Sequence, residues 1–107
     1  MSFRVVVPRA VEEAIDAQVS YLIKQGTADD RLQDWLDGLL HLIDSLSDWP
    51  RRFPVADAIS AARGYEVRRA NRGDYAIFFR VDDEHRFVEI LAFRHGRQQL
   101  SFEREKG

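Results

Sequence analysis

The segment Gly64–Gly96, GYEVRRANRGDYAIFFRVDDEHRFVEILAFRHG, decides the fold. It reads as three consecutive β-strands. The first run is Tyr65–Ala70, and it ends at Asn71-Arg72-Gly73-Asp74. Gly73 can take a positive φ there without a steric penalty, so the tetrapeptide suits a turn. The second run, Tyr75–Val81, is β-branched or aromatic at most positions. The polar cluster Asp82-Asp83-Glu84-His85 suits a hairpin connection. The third run, Arg86–Arg94, closes on His95-Gly96-Arg97. Side chains alternate along a strand, which places Tyr75, Ile77, Phe79 and Val81 on one face and Ala76, Phe78 and Arg80 on the other. In the third run the same rule groups Val88, Ile90, Ala92 and Arg94 against Phe87, Leu91, Phe93 and His95. Both faces are largely apolar, as expected of interior strands.

Upstream, Phe3–Val7 reads as a short strand stopped by Pro8, which also suits a helix start. Val11, Ile15, Val19, Leu22 and Ile23 recur at helical spacing over Arg9–Lys24, with Glu12 and Glu13 near the positive end of the helix dipole and Gly26 as a C-terminal cap. Thr27-Ala28-Asp29-Asp30 has the form of a capping box. A second helix follows to about Ser47, with Leu32, Trp35, Leu36, Leu39, Leu40, Ile43 and Leu46 as its apolar stripe. Gly38 interrupts that stripe and suggests close approach of another backbone. The short connection predicts an antiparallel helical hairpin whose apolar faces need the sheet as partner. Pro50 and Pro54 make Arg51–Phe53 an extended loop, and Asp57–Arg63 could form a turn of helix. The order β-α-α-β-β-β is α+β. One domain spans 1–107, with 98–107 expected to be a mobile tail.

The totals exclude several classes. With no cysteine, disulfides and thiolate metal sites are absent. No apolar run approaches the ~20 residues that span a bilayer, so the expectation is a cytoplasmic protein without membrane contact. There is no P-loop, G-x-G-x-x-G, G-x-S-x-G or H-E-x-x-H, and His41, His85 and His95 are far apart in sequence. No metal and no cofactor is expected. The net charge of −2 gives no general reason for nucleic-acid binding, but its distribution is uneven. Between positions 9 and 48, Arg9, Lys24 and Arg31 face nine acidic residues; between 51 and 72, six arginines face Asp57 and Glu66. Arg68, Arg80, Arg94, His95 and Arg97 come from three adjacent strands or their ends. They could bind phosphate or an acidic peptide on an open sheet face, or they could pair with Glu66, Glu89 and the acidic turn across strands.

Val67-Arg68-Arg69, Tyr75–Asp82 and Val88–Arg97, which ends in Phe93-Arg94-His95-Gly96-Arg97, together resemble the RelE/ParE superfamily of bacterial type II toxin–antitoxin toxins, often labelled plasmid stabilisation proteins. The likeness covers nearly the whole chain, including the Phe53-Pro54 loop. It implies a growth-inhibiting toxin neutralised by a cognate antitoxin, with Trp35, Leu39 and Phe78 as antitoxin contacts. It implies one of two targets. ParE-like members poison DNA gyrase by binding, with Arg68, Arg80, Arg94, His95 and Arg97 as the target-binding set here. RelE-like members cleave mRNA on the ribosome, and the same five residues would then be catalytic, arginines stabilising phosphate charge and His95 moving a proton. A loss-of-activity interaction module is the third reading. Phe102 stands where a nuclease of this family would carry a tyrosine, and Gln98 stands where many relatives carry a second basic residue. These departures, and a pI near 5.9, favour the gyrase-directed branch.

Overall fold

Valine-rich Arg4–Val6 (β1) opens the chain and is followed by two helices, Arg9–Lys24 (α1) and Asp29–Ser45 (α2). A 3₁₀ turn at Pro50–Arg52 and a short helix, Asp57–Arg63 (α3), lead to the strands Arg68–Arg72 (β2), Tyr75–Asp82 (β3) and Phe87–His95 (β4). The computed structural model describes residues 2–96. Arg97, Gln98, Phe102 and the expected tail lie outside the described residues. The sheet order is β1-β4-β3-β2, with β1 parallel to β4 and the other pairs antiparallel. The expected α+β architecture is present. Its helical hairpin lies on one face of a three-stranded meander that β1 extends.

Local chemistry explains the element ends. Pro8 sits at the N-cap of α1 with φ −65°, and its carbonyl accepts from Val11 and Glu12 N–H. Proline fits because the first turn has no use for its missing N–H. Ala28, not Thr27, occupies the N-cap of α2, and no side chain caps this end. The expected capping box therefore does not form. The helix starts one residue too late for the Thr27 hydroxyl, and Asp30 accepts the Arg31 N–H instead. Asp29 and Asp30 still place negative charge on the first turn.

The connection from α2 to β2 is more ordered than its prolines suggest. Trp49 takes a left-handed conformation (φ 51°), and Pro50–Arg52 turn tightly after it. The Arg52 guanidinium donates to the carbonyls of Ser45, Asp48 and Trp49, satisfying groups that the end of α2 leaves open. The helix at Asp57–Arg63 is complete and ends at Gly64 with φ 81°. The Ser60 hydroxyl accepts the Val67 N–H at 2.8 Å and donates to its carbonyl at 3.1 Å, clamping α3 to the approach of β2.

Two corrections concern the meander. The first strand runs later than its composition suggests. Asn71 and Arg72 pair with Ala76 and Tyr75, leaving a two-residue turn at Gly73-Asp74. Gly73 has φ 59° while Asp74 does not enter the positive region, as in a type II′ hairpin turn. The second correction is a bulge. Phe78 faces Ala92 while Phe79 faces Ile90, so Leu91 is an extra residue in β4. Beyond Leu91 the alternation reverses. Phe93 and His95 share the helical face with Val88 and Ile90, while Ala92 and Arg94 turn to the other face.

The core therefore has two halves. On the helical face Val11, Ile15, Leu39, Leu42, Ile43 and Leu46 pack on Ala70, Tyr75, Ile77, Phe79, Val88, Ile90 and Phe93. On the opposite face Ile59 of α3 packs with Val67, Ala76, Phe78 and Ala92. That face is not open, as the arginine pattern suggested; α3 covers its centre. Full burial of side chains such as Phe78, Phe79 and Phe93 is worth roughly 1.5–3 kcal/mol each. Exposed ion pairs contribute about 0–1 kcal/mol each, so packing dominates the fold.

Candidate functional site

Of the five residues expected to act together, the four among the described residues, Arg68, Arg80, Arg94 and His95, are held apart. Arg68 starts β2 on the helical face. Its guanidinium donates to the carbonyls of Arg51 at 3.0 Å and Phe53 at 2.7 Å, and to Glu66 at 3.1 Å. Only 14% of its side chain is exposed. It ties the 3₁₀ turn to the sheet edge. Arg80 lies on the α3 face of β3, donating to Glu89 at 2.7 Å and lying over the Phe87 ring at 5.1 Å. Arg94 shares that face but pairs across the ladder with Ala76. Its offset from Arg80 is four β3 positions, roughly 13 Å along the strand, and Phe78 lies between. Arg94 donates to the Phe93 carbonyl at 2.9 Å.

His95 faces the other way, toward the helices. Its Nε2 is 3.0 Å from Asp74 Oδ2, and its Nδ1 is 3.2 Å from Gln18 Nε2. With the Gln18 amide donating to Nδ1, the neutral ring donates from Nε2 to Asp74. The ring also meets Trp35 edge-on, 6.3 Å between centres. Arg97 lies outside the described residues. Arg68 and Arg80 make the short-range carboxylate pairs, with Glu66 and Glu89.

Of the expected antitoxin contacts, only Trp35 retains exposed surface. Leu39 and Phe78 are fully buried, Leu39 between α2 and the sheet and Phe78 beneath α3. The isolated chain therefore offers a partner no surface at either side chain. Leu40 is 51% exposed and borders a groove of about 440 Å³ between the helices, floored by Val7, Ile15, Leu36 and Ile43 and rimmed by Glu12 and Asp16. The helical stripe contained these residues, but only helix rotation decides which of them face outward.

Sequence reasoning also missed two features. Trp49 is 74% exposed on its left-handed turn, beside Phe3 and Arg51. A tryptophan directly before proline at a helix end was the available signal. Arg72 lies across Gly38 of α2, so the glycine accommodates a guanidinium and not a second backbone. At the opposite end of β3, Arg51 grips Asp83 through two hydrogen bonds of 2.9 and 2.7 Å. That contact holds the Asp83 carboxyl below the usual range and raises Arg51. Asp82 is also lowered, first by accepting the His85 N–H and then by the His85 ring.

Among the described residues no group of three or more His, Asp or Glu is placed to hold a metal ion. Nor is any helix among them long and apolar enough to cross a membrane. A search of curated proteins finds no match. The family described as the ParE toxin of the type II toxin–antitoxin system, parDE, matches residues 5–100. With strand, helical hairpin and meander in the order that the resemblance implied, this chain belongs to the ParE toxin family of type II toxin–antitoxin systems.

Proposed function

We propose that this toxin arrests growth by binding DNA gyrase rather than by cutting RNA, and that its cognate antitoxin neutralises it by seating on the helical hairpin. The observation that carries the reading is the dispersal of the basic side chains. Phosphoryl chemistry needs donors converging on one phosphate. Arg68 is committed to two carbonyls, Arg80 to Glu89, and His95 faces away from Arg80 and Arg94. Membership of the ParE family supports the same branch. Arg94 and Arg97 are assigned to target contact, with Arg68, Arg80 and His95 maintaining the surface around them. The antitoxin is assigned to the groove at Leu36 and Leu40, where apolar surface would otherwise face water.

The test is plasmid supercoiling by purified gyrase with increasing toxin, together with pulse labelling of DNA and protein synthesis after induction. The expected result is dose-dependent loss of supercoiling, with DNA synthesis falling first, and weakening of both effects in Arg94→Ala and Arg97→Ala. Unimpaired supercoiling with an early fall in protein synthesis would establish the ribosomal alternative. Normal growth with folded protein present would leave antitoxin binding as the function.

A further inference from the structure

Arg72, Tyr75 and Trp35, neighbours near Gly38, each carry a hydrogen-bond donor without a partner among the described residues. Arg72 ends β2 exposed, with Nε 3.0 Å from where a Cβ on Gly38 would stand. Among the described residues it has no hydrogen bond or ion pair. Tyr75 is its register partner across the hairpin. Tyr75 is 3% exposed, and its buried hydroxyl has no partner among the described residues. Trp35 lies one turn before Gly38 and meets the Tyr75 ring edge-on at 5.6 Å. Its indole N–H is likewise buried and without an acceptor among the described residues.

Buried donors are almost always paired, so two on rings in contact, beside an arginine without a partner among the described residues, mark a place for an acceptor. Burial raises the Tyr75 phenol above its ordinary range, with Arg72 opposing, so the hydroxyl keeps its proton at neutral pH and remains a donor. We propose that Arg72, Tyr75 and Trp35 form a notch that takes one carboxylate, an aspartate or glutamate side chain of the cognate antitoxin. Arg72 is the exposed lip and pairs with the carboxylate; one oxygen then reaches toward the phenol and indole donors behind it. The surroundings select a single negative charge over a phosphodiester chain. Asp74 is in the turn and Asp37 directly precedes Gly38 on α2, each already taken by His95 and Gln33 respectively, and a polyanion would meet both.

This inference rests on the toxin–antitoxin reading and not on gyrase as target; its first readout needs neither partner. Trp49, 74% exposed, supplies a control for Trp35. The two indole N–H signals are followed by ¹⁵N-correlated NMR while N-acetyl-glutamate amide is added, with N-acetyl-glutamine amide and inorganic phosphate in parallel. The expected result is a saturable downfield shift of Trp35, none of Trp49, and none with the glutamine probe. Arg72→Gln should weaken the response at least tenfold, and Tyr75→Phe at least threefold, with the rest of the spectrum unchanged. Absence of any Trp35 shift would overturn the site and leave a trapped water as the occupant. A stronger response to phosphate would overturn the carboxylate assignment. In the complex, Arg72→Gln should lower antitoxin affinity at least tenfold; unchanged affinity would overturn the antitoxin as its source.

Discussion

Removing the Arg68 guanidinium would strand the carbonyls of Arg51 and Phe53 at a nearly enclosed site. Hydrogen bonds to charged groups are worth about 1.5–3 kcal/mol, so Arg68→Ala should lower unfolding free energy by about 2–3 kcal/mol in urea titration. Arg80→Ala removes a pair with Glu89 in which both side chains are about one-third exposed. That loss should stay near or below about 1 kcal/mol. Equal effects would mean that Arg68 is not the brace its contacts imply. Two glycines make a second contrast. At Gly73, φ is 59° with open space around it, so Gly73→Ala should cost about 1–2 kcal/mol from backbone strain alone. At Gly38 an added Cβ meets only the flexible, exposed Arg72 side chain. Gly38→Ala should therefore gain up to about 1 kcal/mol of helix propensity while displacing Arg72, a shift visible in its side-chain NMR signals.

At the scale of elements, one residue reassigns the faces of the sheet. Leu91 is half-buried and extra in β4, and the bulge it makes sends Phe93 and His95 to the helices. Deleting Leu91 would exchange Ala92, Phe93, Arg94 and His95 between faces, putting Arg94 into the aromatic core beside Trp35. The expected outcome is loss of near-UV circular dichroism and of dispersed NMR signals. Leu91→Ala keeps the count and should retain the fold. The strands themselves were legible because β-branched and aromatic runs are bounded by turn residues. The bulge was not, because apolar residues line both faces and either phase of alternation looks equally good. The same ambiguity scattered the candidate site, since the faces of Arg94 and His95 depend on that phase. The helix at α3 is too short for its periodicity to be read, yet its Ile59 is buried against Phe78. Covering this face is what turned an expected binding surface into core.

At the scale of the whole molecule, the response to acid follows from the β3–β4 loop. Asp82 and Asp83 are held below their ordinary values in the folded chain, by the His85 N–H and by Arg51 respectively. Their stabilising effect is complete above the unfolded carboxylate pKa of about 4. It fades as pH drops through their depressed native values. The Arg51–Asp83 contacts are short and specific. The urea midpoint is expected to be flat between about pH 7 and pH 5 and to fall below about pH 4. Asp83→Asn should start lower at pH 7 and show a shallower acid limb, because the Arg51 pair is already lost. A limb that keeps its full slope in Asp83→Asn would place the acid sensitivity elsewhere and remove the loop–turn pair as the fastening between the meander and the end of α2.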